Sequence, residues 1–485
     1  MDSFDLLIIG GGINGAAIAR DAAGRGLDVL LVEKDDLASH TSSASSKLIH
    51  GGLRYLEQYE FGLVRESLHE REILLQTAPH LVRPLKFVLP DPPGGRPFWM
   101  IRAGLLLYDL LAGRGSLPRS RRVGKKDQGL GAPLKPGLSL ATYWDAWVDD
   151  ARLVALNAVD AHERGAEIAT RTELLSARRD GDLWTATLSG GRTIAARTIV
   201  NAAGPWVADV LTGPLDTGSK CRARLIKGSH IVVPRLWQGD HAYILQNQAD
   251  GRVVFALPYG ESSLIGTTDI PVERPQDAVI SEEEVAYLCG AANAYFLKQT
   301  APGDVTWSYA GVRSLYDDGE AQAKDVTRDY HLELDPAPGP KLLSVFGGKI
   351  TTARHLAAEA LDRLRVPGLK FTTTSPLPGG NVTSAFNARM EALGAWLPAP
   401  LLRRLAGAYG TRIETLLGDA DKIADLGRHF GAGLYEMEVR YLLETEFAKT
   451  AEDILWRRTK LGLVMSRDEQ RALANWIGTA TVPRG

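Results

Sequence analysis

The chain has 485 residues, 45% hydrophobic and 24% charged, with a formal net charge of −2. At roughly 150 residues per domain that is two or three domains. A near-neutral chain offers no general attraction for nucleic acid, so no nucleic-acid partner is expected. Cys221 and Cys289 are its only cysteines, too few for a disulfide framework, and no residue spacing suggests a metal site.

The organising stretch comes first. Phe4–Ile9 is a short apolar run suited to a buried parallel strand. It leads into Gly10, Gly12 and Gly15, spaced G-x-G-x-x-G, then a helical pattern from Asn14 to about Arg25 and a second apolar run, Leu27–Val32, ending at Glu33. This is a βαβ unit of the Rossmann type. Gly10 serves the tight turn, Gly12 the approach of a pyrophosphate, and Gly15 the close packing of helix on strand. The helix N-terminus attracts phosphate, and Glu33 can accept hydrogen bonds from a ribose diol. Residues 39–47 concentrate hydroxyls beside Lys47; directly after such a unit they are expected to line the pyrophosphate and ribitol path rather than form a solvated loop. His50-Gly51-Gly52 would let backbone lie against a flat ring.

Gly62–Ala78 has the pattern of an ordinary amphipathic helix. Residues 97–126 combine a helix apolar almost all round (Phe98, Trp99, Leu106, Leu110) with a basic flank from Arg114 to Lys126. Two readings stay open: a helix lying in an anionic membrane surface, or a buried helix followed by a solvated basic loop. No window reaches the ~18 apolar residues of a spanning helix. The N-terminus lacks the basic region of a signal peptide, so a cytosolic setting is expected. Ile199–Trp206 reads as a buried strand ending in a tight Ala-Gly turn. Residues 220–330 carry alternating runs that predict a separate antiparallel sheet, and Leu342–Phe346 is a buried strand entering Gly347-Gly348-Lys349 and then a helix. Pro376–Gly380 reads as a linker, and the chain beyond about Asn387 as an all-α domain.

These stretches carry a resemblance. Ile8-Ile-Gly-Gly-Gly-Ile-Asn-Gly, Ser45-Ser-Lys-Leu-Ile-His-Gly-Gly-Leu-Arg-Tyr, Trp144–Arg152, Leu225–Pro234, Ile265-Gly-Thr-Thr-Asp, Gly311-Val-Arg, Thr327-Arg-Asp-Tyr, Val345–Thr352 and Asp453–Gly462 together resemble the bacterial FAD-dependent glycerol-3-phosphate dehydrogenases, within the D-amino-acid-oxidase-like (DAO) flavoproteins. The resemblance implies an α/β plus α+β fold: a Rossmann-like FAD-binding domain (1–80, 145–215 and 335–375), an antiparallel-sheet substrate and membrane-facing domain (81–144 and 216–334), and a helical domain (380–485). It implies hydride transfer from C2 of glycerol 3-phosphate to flavin N5, giving dihydroxyacetone phosphate, with electrons passed to a membrane quinone at the cytoplasmic membrane surface. The helical domain shows no chemistry of its own, and packing or homodimerisation is its expected role. An oxidase using O₂, or a DAO-like enzyme of another amino or hydroxy acid, is the alternative.

For the site, the resemblance implies that Arg54, Tyr55, Thr268 and Arg328 hold the substrate and that His230, Arg313 and Lys349 serve the chemistry. Contacts to FAD are expected from Gly10, Gly12, Asn14, Gly15, Glu33, Lys34, Ser42, Ser43, Ser46, Lys47, His50, Gly51, Gly52, Ala203, Gly204, Gly348, Lys349, Ile350, Thr351 and Thr352.

Overall fold

The structure, a computed structural model, describes residues 1–91, 97–218, 223–247, 250–316 and 330–480. Its first sheet is built on β1 (Asp2–Ile9), α1 (Ile13–Gly24) and β2 (Val29–Glu33). β1 pairs in parallel with β2 on one side and with Thr193–Asn201 on the other. Glu167–Thr170 extends the parallel set beyond β2, and Lys341–Phe346 extends it beyond Thr193–Asn201. His331–Leu334 closes that edge antiparallel. The strands are apolar on both faces because both faces are covered. On one side the alanine-rich α1 lets the helices Asp150–Glu163 and Ala353–Arg363 pack closely. On the other lie Trp184, Leu188, Val207 and Leu211.

The second sheet is antiparallel throughout except for one pairing. Ala223–Pro234 lies between Ser262–Gly266 and Trp307–Tyr316. Val253–Tyr259 and Ala242–Gln246 follow, and Ala242–Gln246 runs parallel to Val82–Pro90. Leu140–Val148 and Leu48–Ile49 complete the far edge. Residues 48–49 and 145–148 therefore join this sheet rather than the nucleotide domain, whereas His331–Leu334 joins the first sheet rather than the substrate domain. Apolar alternation marks a strand but not which sheet edge it joins.

Three further elements depart from the expected pattern. In α2 (Phe61–Thr77), Glu70 and Arg71 are buried: Arg71 Nη1 donates to Asp145 at 2.7 Å and Glu70 receives Arg354. Charge at those positions marks ion pairs inside the protein, not a solvated face. Pro376–Gly380 is no loose tether, because Leu377 N donates to Thr77 O at 2.8 Å and a Cβ on Gly380 would lie 2.3 Å from that same oxygen. The C-terminal domain is helical but includes a short hairpin, His429–Gly431 with Leu434–Tyr435.

α3 (Phe98–Ala112) settles one of the open alternatives. Only Leu105 and Tyr108 are buried, while Trp99 is 68% and Leu110 74% exposed. It is not a buried helix. No helix among the described residues is long and apolar enough to cross a membrane.

Candidate functional site

Three strands of the first sheet end at one edge, and each runs into a turn: Gly10–Gly12, Ala202–Gly204 and Gly347–Lys349. A cavity of about 610 Å³ opens there, walled on its far side by the second sheet. This is the crevice at the carboxyl ends of parallel strands where α/β folds place nucleotides.

The nucleotide end is made largely of backbone. Gly10 adopts φ +109°, and a Cβ on it would lie 2.6 Å from Ala202 O; a Cβ on Gly15 would lie 1.9 Å from Gly10 O. The N-cap of α1, Gly12, has no side chain to cap it, and the first turn carries no acid, so the positive end of the helix dipole faces the cavity. Ser42 Oγ accepts from Ile13 N at 3.0 Å, which fixes the hydroxyl-rich loop against this turn. Glu33 accepts from Gly11 N at 2.7 Å and Asp35 N at 2.9 Å. Burial raises its carboxyl pKa, and those two amides partly offset the rise. Lys34 Nζ stands 4.5 Å from the Trp206 ring centroid. Glu33, Asp35 and His40 bring ligand-type atoms within 4.8 Å of one another, but the Glu33 oxygens are held by amides and His40 Nε2 lies 2.8 Å from Asp35 Oδ2.

The opposite end is made of charged side chains. Arg313 pairs with Asp269, and Arg54 Nη1 lies 3.7 Å from the same carboxylate. Both arginine side chains are more than a third exposed, so their guanidinium groups face the cavity. Lys349 Nζ, 3.9 Å from the Tyr55 ring centroid, is buried and finds no hydrogen-bond partner among the described residues. Asn14 donates to Gly347 O at 3.1 Å, and its Oδ1 likewise finds no partner. A buried ammonium and amide oxygen left unsatisfied are costly unless a ligand meets them.

Of the expected residues, the cavity gathers Gly10, Gly12, Asn14, Glu33, Lys34, Ser42, Arg54, Tyr55, Ala203, Gly204, Arg313, Gly348 and Lys349. Others it does not gather. Lys47 is buried on Asp150, with Nζ to Oδ2 at 2.7 Å, because a lysine so deep in the protein needs a counter-charge. Ser43 Oγ turns back to His40 O at 3.1 Å. Thr268 donates to Glu284 at 2.8 Å and faces away from the cavity; its neighbour Asp269 lines the wall instead. Gly15 serves packing. Gly51 N donates to Tyr108 Oη at 2.8 Å, and a Cβ on Gly52 would strike the Tyr55 ring. His50 N approaches Thr351 Oγ1 at 3.4 Å, and Thr351 and Thr352 are buried beneath the turn with Ile350 packed on the neighbouring core. Burial first, and Lys349 second, push the His50 pKa down to about 4.

His230 is buried off the cavity wall. Its Nε2 lies 2.9 Å from Ser46 Oγ and its ring stacks on Tyr309 at 4.8 Å. Burial, then Lys47 and Arg313, hold its pKa down to about 3, so the ring is neutral, and Nδ1 has no partner among the described residues. Arg328 lies outside the described residues. Asp269 and Trp206 were missed. Both sit inside runs quoted above, but nothing in the spacing says that Asp269 rather than Thr268 faces the cavity.

A dinucleotide crevice at a glycine turn, closed over by an antiparallel sheet and ending in cationic side chains, defines a flavin-type oxidoreductase. The chain belongs to the FAD dependent oxidoreductase (DAO) family, whose model matches residues 5–360; residues 370–480 match the C-terminal domain of alpha-glycerophosphate oxidase. It is 53% identical to the glycerol-3-phosphate dehydrogenase of Pseudomonas aeruginosa, covering 98% of this chain and 95% of the relative. It is 49% identical to the D-erythritol 1-phosphate dehydrogenase of Brucella abortus, covering 99% of each. The aerobic glycerol-3-phosphate dehydrogenase of Escherichia coli is 47% identical over 100% of this chain and 99% of that one. The solved glycerol-3-phosphate dehydrogenase of Bacillus halodurans complexed with FAD superposes with a TM-score of 0.73 at 27% identity, covering 98% of this chain and 94% of that chain. The cofactor is FAD, and the residues fit it: the glycine turn a Cβ would fill, the acid-free first turn of α1, and Asn14 Oδ1 and Lys349 Nζ, which have no hydrogen-bond partner among the described residues.

Proposed function

We propose that the protein oxidises sn-glycerol 3-phosphate to dihydroxyacetone phosphate and passes the electrons to a membrane quinone. The observation that carries this reading is the convergence of Arg54, Arg313 and Lys349 Nζ, the last with no hydrogen-bond partner among the described residues, at one end of the dinucleotide cavity. Bound flavin supplies the acceptor for the hydride that leaves C2. The two guanidinium groups suit a phosphate dianion, which would compete with Asp269 for them. Lys349 Nζ, with no hydrogen-bond partner among the described residues, is the group to stabilise negative charge developing as the C2 hydroxyl loses its proton. His230, neutral but buried off the cavity wall, does not reach the place where the C2 hydroxyl would lie, so the proton-acceptor role expected of it is not proposed.

The exposed apolar face of α3, followed by the exposed Arg114, Arg119, Arg121 and Arg122, supports peripheral attachment to an anionic membrane surface on the cytoplasmic side. That is where a quinone would be met. A second substrate has a specific observation behind it: the relative named for D-erythritol 1-phosphate, at 49% identity, falls between two named for glycerol 3-phosphate, at 53% and 47%. Steady-state turnover decides. With a soluble quinone analogue, glycerol 3-phosphate should exceed D-erythritol 1-phosphate in kcat/KM, glycerol should be inert, and O₂ should support little turnover. A preference for the four-carbon phosphate, or turnover on O₂ alone, overturns the corresponding part.

A further inference from the structure

The helical C-terminal domain reaches back to the cofactor crevice through a run of buried charges. Asp36 sits in the loop after β2, between Lys34 and Ala38, which both line the cavity, and its side chain is 1% exposed. Arg458 grips it with two parallel bonds, Nη1 to Oδ2 and Nη2 to Oδ1, each 2.9 Å, and Arg457 Nε reaches Oδ2 at 2.6 Å. Both arginines end the π-helical segment Asp453–Arg458, and such segments recur at functional sites.

The grip is held from behind. Arg458 Nη2 also donates to Glu446 O at 2.8 Å, and the Glu446 carboxylate takes both terminal nitrogens of Arg152 at 2.7 and 2.8 Å. Next to Asp36, the Asp35 carbonyl accepts from Arg171 N at 2.8 Å, and Arg171 Nη2 reaches Asp453 at 2.8 Å. The loop so held is the one on which the cavity wall depends. Glu33 closes on Gly11 N at one end, and Ala38 N closes on Gly11 O at 3.1 Å at the other, with Ala38 at φ +58°. A non-glycine residue in that conformation persists only where its surroundings impose it.

We propose that Arg457 and Arg458 are positioning residues for the adenosine half of the FAD. Through Asp36, the C-terminal domain fixes the loop that carries Glu33 and the hydroxyl-rich wall, and so sets the affinity for the dinucleotide without touching it. This rests on FAD lying in the crevice with its adenosine end at Glu33. The clamp acts on that end only, so FMN, which lacks the adenosine, separates a positioning role from a general loosening of the fold.

The test uses the full-length protein, stripped of flavin and titrated with FAD and with FMN. Arg457→Lys keeps a positive charge beside Asp36 but loses the directed Nε–Oδ2 bond and the link to Asp453; the pair Asp36→Asn with Arg458→Gln removes both charges, so neither is left buried alone. The expected result is FAD affinity lowered about ten-fold in Arg457→Lys and further in the double variant, a loss of charge-assisted hydrogen bonds, with FMN affinity and the circular dichroism unchanged. Equal losses for FAD and FMN, or unchanged FAD affinity in a folded variant, would overturn the proposal. Should the double variant not fold, Arg457→Lys decides alone. A wild-type protein that binds FMN as tightly as FAD would instead fault the placement of the adenosine end.

Discussion

The two ends of the cavity are built differently. At the nucleotide end, recognition comes from backbone: a glycine turn with no room for a Cβ, a helix N-terminus with no acid in its first turn, and a carboxylate already engaged by two amides. Its geometry is over-determined before any ligand arrives. At the other end, Arg54, Arg313, Asp269 and Lys349 converge as side chains, the two arginines meeting at Asp269 and Lys349 Nζ finding no hydrogen-bond partner among the described residues. That end is preorganised in charge but provisional in partners, as a site must be when it takes up and releases a substrate at every turnover. If the charged end takes the substrate as proposed, the held cofactor and the exchanging substrate are met by different kinds of atoms.

The largest effect should follow from breaking the backbone end. Gly15→Ala would place its Cβ 1.9 Å from Gly10 O, so the turn and α1 cannot keep their approach. The expected outcome is protein with no copurifying flavin, read from the flavin-to-protein absorbance ratio. Next comes the charged end. Arg313→Ala should keep its flavin and lose about 10²- to 10³-fold in the rate of flavin reduction, the usual cost of removing one group that meets developing charge. Loss of flavin instead would make Arg313 a cofactor ligand and blur the contrast between the ends. Arg54→Lys should raise KM about ten-fold with a smaller change in kcat, because a point charge cannot reproduce the fork; an unchanged KM contradicts the role given to it.

Smaller still is a pH effect. His230 is held at about pKa 3, below the ~6.5 of an unfolded histidine, so the folded state binds fewer protons. Its favourable difference is complete above pH 6.5 and is lost as pH falls from there toward 3. At pH 5.5 the loss is about 1.4 kcal/mol. Measured by urea unfolding, the fall in unfolding free energy from pH 7.5 to 5.5 should be larger in wild type than in His230→Gln by about that amount. Asp145, raised to about 6 chiefly by burial, works in the opposite direction but equally in both proteins. Last, Trp99→Ser with Leu110→Ser on α3 should abolish sedimentation with anionic vesicles while leaving flavin reduction in solution unaltered.

The sequence carried the nucleotide end almost whole. Gly10, Gly12, Gly15 and Glu33 are local, and their spacing alone states the turn, the helix and the acid. The resemblance carried Arg54, Arg313 and Lys349, which come from separate elements and meet only in the folded chain. What remained hidden is what depends on side-chain direction and on distant partners. Lys47 has the same character in sequence as Lys349, yet one is closed on Asp150 and the other open to the cavity. Thr268 and Asp269 are neighbours that face opposite ways. Glu70 and Arg71 look solvated until Arg354 and Asp145 are brought to them. The apolar pattern of α3 fits a buried helix or an exposed one equally well, and only packing distinguishes them.

The most direct measurement is anaerobic: purified protein mixed with sn-glycerol 3-phosphate while the visible flavin absorbance is followed. The account predicts bleaching within a turnover, with none from glycerol or D-alanine, since the arginines require a phosphate and the flavin requires the C2 hydride. A flavin band that persists with glycerol 3-phosphate, or bleaches as readily with glycerol, would contradict the assignment of the charged end to a phosphorylated polyol.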